Sequence, residues 1–269
     1  MVKQPTKVIL ITGVSSGFGK ATAGLLAQRG YKVYGTIRRE ADVDPAIRTL
    51  YLDLTDKTSI QSAVQQVMQH EGRVDVLINN ANMHLGGPAE YTPIDDYQKQ
   101  MDTGFGGTVC LIRQVLPIMR AQGGGLIINI SSIGGLMGLP FQSFYSAGKF
   151  AVEGFSEALR MEVRPFSIRV VVVNPGDFNT SNTANRINIK DCGNYSGQFE
   201  KTLAVIEHDE TRGKRPEVLA RKLVRIIESR NPRHRYIVGA FDQRLAVFLK
   251  RVLPSAWFDK ILRSHYGIK

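Results

Sequence analysis

Short runs of apolar, mostly β-branched residues recur along this chain, and between them lie longer stretches where apolar positions return every three or four residues. Lys7 to Thr12 (KVILIT), Lys32 to Ile37 (KVYGTI), Thr49 to Leu52, Val74 to Asn79 (VDVLIN), Leu126 to Ser131 (LIINIS), Ile168 to Asn174 (IRVVVVN) and Arg235 to Val238 predict strands. The stretches 17–29, 56–71, 94–121, 144–164 and 216–230 predict helices. Near-continuous apolar strands are buried on both faces, and helical connections make neighbouring strands parallel. The expected fold is therefore α/β, a single doubly wound, Rossmann-type parallel sheet of about seven strands flanked by helices. With no internal repeat or low-complexity tract, residues 1–269 are expected to form one domain, and 43% apolar content is enough for its core.

Charge and cysteine content narrow the class of protein. From Arg212 to Lys269 there are 15 Lys or Arg against 4 Asp or Glu, which accounts for the whole net charge of +11. A basic segment of this kind is a solvated face or an attractor of anions. No zinc-finger spacing, helix-turn-helix cue or aromatic RNA-binding motif accompanies it, so no nucleic acid is expected as a partner. Cys110 and Cys192 have neither metal-ligand nor disulfide-framework spacing and are expected to be free thiols. The chain enters its first strand without a signal-peptide core and has no apolar run of about eighteen residues, so a cytoplasmic location is expected.

Candidate chemistry clusters at three places. Tyr145 and Lys149 stand four apart in a predicted helix, on one face, where the ammonium can lower the phenol pKa and suit it to proton transfer. Gly13, Ser15, Ser16, Gly17, Phe18 and Gly19 form a turn between the first strand and first helix. There, glycines admit a pyrophosphate to the backbone and the helix N-terminus favours it electrostatically. The spacing is neither the common dinucleotide fingerprint nor a P-loop, so position carries the reading. Arg38 and Arg39 follow the second strand, where arginine suits the 2′-phosphate of NADP, although Glu40 is adjacent. Asp53 and Leu54, after the third strand, would hold the adenine from its other side.

Taken in order with Asn79-Asn80-Ala81, Ser132 and Pro175-Gly176 followed by Thr180, these residues resemble the short-chain dehydrogenase/reductase family over nearly the whole length. Gly134 to Phe141 and Phe150 to Gly154 are similar to its 17β-hydroxysteroid and retinol dehydrogenase branch. The resemblance implies an NADP(H)-dependent oxidoreductase interconverting a carbonyl and an alcohol on a hydrophobic small molecule, without a metal. By resemblance, Tyr145 is the acid or base, Lys149 lowers its pKa and binds the nicotinamide ribose, and Ser132 donates to the substrate oxygen. Asn80 would line the adenosine side, with Pro175, Gly176 and Thr180 at the nicotinamide or phosphates. Relatives are homodimers or homotetramers built on the helices of residues 94–121 and 144–164.

Departures from the family pattern fall near the same site. Asn82 stands where the family has glycine, and Gly104 where it has the asparagine that holds a proton-relay water. Gly104, Gly106 and Gly107 in one helix, at roughly 1 kcal/mol each relative to alanine, should make it soft. Gly148 is expected to loosen the tyrosine helix slightly. A cofactor-binding regulatory or scaffold protein with impaired turnover is the alternative these departures favour. Residues 178–215, polar and broken by asparagine and glycine, are expected to be a mobile substrate loop, with Leu136, Met137, Leu139, Phe141 and Phe144 as pocket wall or simple packing. His84 is close enough to face the cleft but alone assigns no role. The basic extension, about 240–269, is amphipathic between Arg244 and Ile261, and either packs on protein or contacts a membrane peripherally.

Overall fold

Strand alternation builds two cores on one sheet. The computed structural model describes residues 6–268, so the expectations for residues 1–5 and Lys269 lie outside the described residues. In chain order the first half contains β1 (Val8–Ile11), α1 (Gly17–Gln28), β2 (Lys32–Ile37), β3 (Arg48–Tyr51), α2 (Lys57–Glu71), β4 (Val76–Asn79), β5 (Leu85–Gly86), α3 (Ile94–Met101) and α4 (Gly107–Ala121). There follow β6 (Gly125–Ile130), α5 (Ser143–Val163), β7 (Ile168–Pro175), α6 (Asn182–Asn185), β8 (Ile187–Asn188) and α7 (Ser196–Thr211). The chain then runs through α8 (Pro216–Glu228), β9 (Arg235–Val238), α9 (Phe241–Val252) and α10 (Ser255–His265).

Seven strands pair in parallel in the order β3-β2-β1-β4-β6-β7-β9, as the apolar runs predict. Val8 and Leu10 join one core with Val64 of α2, Leu111 of α4 and Leu159 of α5, while Ile9 and Ile11 join the other with Leu26 of α1 and Leu223 of α8. The inner strands contribute to both cores because their side chains alternate, which is why they read as unbroken apolar runs. The strand order reverses between β1 and β4, and in a doubly wound sheet a crevice opens at the carboxyl ends of two such strands.

The structure adds detail in three stretches. The helix expected over 94–121 is α3 and α4 joined by a π-helical turn, Asp102–Gly106. Residues 178–215 carry secondary structure: β8 pairs in parallel with β5, and α7 spans sixteen residues. The C-terminal extension forms α9 and α10, whose inner sides pack through Val247 and Phe258 against Ile133 and Met137.

Candidate active site

The crevice between β1 and β4 widens into a cleft of about 820 Å³. Gly13 and Gly17 take left-handed backbone (φ +72° and +52°), open to glycine at least cost. A Cβ on Gly19 would lie 1.9 Å from the Gly13 carbonyl oxygen, so α1 can approach the turn only with glycine there. Ser16 precedes α1 without capping it, and the first turn carries no acid, so the helix N-terminus is uncompensated, as an anion site requires. Gly13, Ser15, Ser16, Gly17 and Phe18 line the cleft; Gly19 lies outside the lining and serves the packing.

Asn80 holds the turn in place. Its amide donates to the carbonyls of Thr12 (2.8 Å) and Gly13 (3.1 Å), and the Thr12 hydroxyl accepts from the backbone N–H of Asn80 and of Ala81. The side chain expected to face adenosine is thus committed to the protein backbone, although the residue still borders the cleft. Exposed Arg38 and Arg39 border the cleft along with Asp53, Leu54 and Lys99, a cation that sequence reading missed. Burial pushes the Asp53 carboxyl up, but hydrogen bonds from Thr55 and the charges of Arg38 and Lys99 hold it below its usual range. It remains an acceptor.

Ser132, at the end of β6, and Tyr145 and Lys149, on α5, converge on the same cleft. Extended backbone at Ser132 lets its hydroxyl accept from Gly134 N–H (3.0 Å), and Asn174 of β7 donates to its carbonyl (2.8 Å). Burial pushes the Tyr145 phenol up to about 12, and the hydrogen bond with Ser132 recovers only part of that shift. The net shift is upward, with burial as its largest cause. The Lys149 ammonium lies 5.7 Å from the ring centre and donates to the Ile130 carbonyl (3.0 Å), while burial pulls its own pKa down to about 8 against the charge of Glu153.

Several residues around the pair had little signal in sequence. His84 stacks on Tyr145 with ring centres 4.0 Å apart and 18° between planes, held by a 2.7 Å hydrogen bond with Gln142. Glu153 accepts from Asn174 (2.6 Å) and Arg235 (2.8 Å), so a buried polar chain braces Ser132 from below. The one available clue was an asparagine ending the valine run of β7. Pro175, Gly176 and Thr180 border the cleft as expected. A Cβ on Gly176 would lie 2.0 Å from Gln243 Oε1 and displace that side chain, and Gln243 of α9 clamps the turn by donating to Asp177 and accepting from its N–H.

The far end of the cleft mixes acids with aliphatic groups. Asp177, Asp209 and Glu210 line it with Leu139, Ile206 and Tyr266, while Glu210 pairs with the buried Arg186. Burial, reinforced by Asp209 and Glu210, raises Asp177 to about 6. Of the five apolar wall candidates only Leu139 lines the cleft. Met137 is core, Leu136 packs with it, Phe141 meets Phe199, and Phe144 stacks on Tyr97. The two departures, Asn82 and Gly104, are spatial partners. A Cβ on Gly104 would lie 2.6 Å from Asn82 Oδ1, so the Asn82 amide occupies the space a side chain at 104 would enter.

A family model described as short chain dehydrogenase matches residues 7–190. The chain is 46% identical to a 3-ketodihydrosphingosine reductase of Bacteroides thetaiotaomicron, over 98% of this chain and 99% of that protein. It is 38% identical over 190 residues to human 17-beta-hydroxysteroid dehydrogenase type 1, covering 65% of this chain and 57% of that protein. The crystal structure of a short-chain dehydrogenase from Streptomyces avermitilis superimposes with a TM-score of 0.83 at 30% identity, covering 99% of this chain and 98% of that one.

Proposed function

The chain belongs to the short-chain dehydrogenase/reductase family, and from that premise we propose that it is an NADP(H)-dependent reductase of a long-chain lipid ketone. The observation that carries the reading is the convergence of Ser132 and Tyr145, hydrogen-bonded to each other, on the cleft that begins at the glycine turn. The residues present suit a dinucleotide. The glycine cradle and bare N-terminus of α1 would take the pyrophosphate, Arg38 and Arg39 a 2′-phosphate, and Asp53 the adenine amine. When bound, the nicotinamide supplies the hydride.

The protein's own part is to hold the carbonyl and move a proton. Ser132 donates to the substrate oxygen, stabilising negative charge where it develops. Tyr145, kept protonated by burial, is an acid across the neutral range and delivers its proton to the same oxygen. Lys149, with its pKa pulled down to about 8, is a stronger acid than an ordinary lysine ammonium, able to return a proton toward the phenolate left at Tyr145. The name of the bacterial relative specifies a ketone carried by a long-chain amine. The aliphatic and carboxylate lining at the far end, Leu139 and Ile206 with Asp177, Asp209 and Glu210, suits an alkyl chain and an adjacent ammonium.

NADPH oxidation with 3-ketodihydrosphingosine, beside a neutral steroid ketone, tests the substrate. Turnover of the amino ketone at least tenfold faster is expected, and a preference for the steroid would reject the lipid reading. Arg38→Ala is expected to raise the KM for NADPH about tenfold and leave that for NADH nearly unchanged, since a charge-assisted phosphate contact contributes on the order of 1.5–3 kcal/mol. An equal effect on both cofactors would reject the NADP assignment. Tight NADPH binding without oxidation by any ketone would instead identify a cofactor-binding protein without turnover.

A further inference from the structure

The outer side of α9 and α10 carries apolar residues that no described residue covers. Phe241, Leu245, Phe248 and Val252 are exposed and recur at intervals of four, three and four, which sets them within about 60° of one another around a helix of 3.6 residues per turn. Trp257 and Ile261, four residues apart, add an exposed pair on α10. Phe241 is 79% exposed and Trp257 67%. These helices have already satisfied the core with Val247 and Phe258, so the second apolar side is surplus to folding. Of the other large apolar side chains exposed among the described residues, Phe150 and Met161 share α5 and the rest stand singly on separate elements.

Charge selects the occupant. Between Phe241 and His265 there are five Lys or Arg against two Asp, and Arg244, Arg251 and Lys260 are exposed beside the apolar stripe. A second copy docking across a two-fold axis would lay this cationic rim against itself. An anionic bilayer meets both requirements, taking aromatic and aliphatic groups into the headgroup boundary and cations at its surface. No helix among the described residues is long and apolar enough to cross a membrane, so the contact is peripheral. The same helices reach the active site. Gln243 of α9 clamps the turn at Gly176 and Asp177, Leu139 belongs to both the α9–α10 packing and the cleft, and Tyr266, next after α10, lines the cleft.

We propose that the outer face of α9 and α10 docks this protein on anionic lipid membranes, placing its cleft at the source of a bilayer-borne ketone. The docking stands apart from the substrate reading, because adsorption is measured without turnover. Trp257 is the single tryptophan of the chain and sits in the docking face, so its fluorescence reports the contact directly. Titrating the full-length protein with about 3:1 phosphatidylcholine–phosphatidylglycerol vesicles is expected to shift Trp257 emission to the blue and carry the protein into the vesicle pellet. Pure phosphatidylcholine and raised salt are expected to weaken binding. Phe248→Glu should reduce partitioning at least tenfold, and Arg244→Gln with Arg251→Gln roughly 25-fold, at about fivefold per cation. Both variants should keep wild-type turnover of a water-soluble ketone and wild-type thermal midpoints, since these side chains are exposed. Wild-type protein that stays in the supernatant with unshifted emission overturns the proposal. Equal pelleting by Phe248→Glu does too, as does a change from dimer to monomer in that variant without loss of vesicle binding, which would assign the face to a second copy.

Discussion

Burial removes water from the Tyr145 phenol and so penalises its anion more than the Ser132 hydrogen bond restores, although a lysine stands four residues along the same helix. The spacing of Tyr145 and Lys149 was legible in the sequence because it is local. Their electrostatics were not, because these depend on how much water the surrounding fold excludes and on Lys149 spending a hydrogen bond on Ile130. Asn82 and Gly104 show the same division. Each departs visibly from the family pattern, but only the structure places the amide of one in the space left by the other. If that amide stands in for the missing asparagine in supplying protons to Lys149, N82G lowers kcat by about tenfold, a modest share of what acid–base catalysis contributes. NADPH affinity changes much less. Adding G104N to N82G then restores kcat, since the clash at 104 is with the flexible end of the Asn82 side chain. Stopped-flow turnover beside cofactor titration checks this, and an undiminished kcat in N82G would remove Asn82 from proton supply.

At the scale of elements, the inner sheet strands were readable because strands buried on both faces have no polar register to confuse the pattern. The helix α7 was not, since its buried positions Phe199, Thr202, Ile206 and Glu210 recur with helical spacing but include a threonine and a glutamate. Glu210 can be buried there because Arg186, distant in sequence, is buried against it. The strand pair β5–β8 is two residues long on each side, too short for any periodic signal. Glycines in the π-helical turn illustrate why softness could not be read from composition. A Cβ on Gly106 would make only ordinary contacts, the nearest at 3.7 Å, whereas one on Gly107 would lie 2.4 Å from the Leu54 carbonyl oxygen. Neighbouring Gly→Ala substitutions therefore have opposite signs. Gly106→Ala should stabilise by up to about 1 kcal/mol through helix propensity, and Gly107→Ala should destabilise by about 1–3 kcal/mol through overpacking against backbone. Urea midpoints at constant m-value distinguish them, and destabilisation of similar size in both would mean the π-helical turn itself requires glycine.

Across the whole molecule, charge is sorted in a way that net composition conceals. The excess of +11 lies in the C-terminal fifth, while the inner end of the cleft gathers Asp177, Asp209 and Glu210. The cost of that gathering falls on Asp177, whose pKa rises from 3.8 to about 6, first through burial and then through the two neighbouring acids, against the Gln243 hydrogen bond and His265. A carboxyl with a raised native pKa binds its proton more tightly when folded, so its favourable contribution is complete below pH 3.8 and is lost as pH rises to about 6. The full span, about two pH units, corresponds to on the order of 3 kcal/mol. Asp177→Asn keeps an oxygen to accept from Gln243 but carries no charge. Its stability relative to wild type should therefore be near zero at pH 4, grow in its favour between pH 4 and 6, and level off above. Chemical denaturation of both proteins in cofactor-free buffer across that range measures the gap, and a gap independent of pH would show that Asp177 titrates as an ordinary surface carboxyl. Wild type should recover part of the difference when a long-chain amine fills the cleft at neutral pH, because an ammonium beside the carboxylate offsets the charge that burial disfavours.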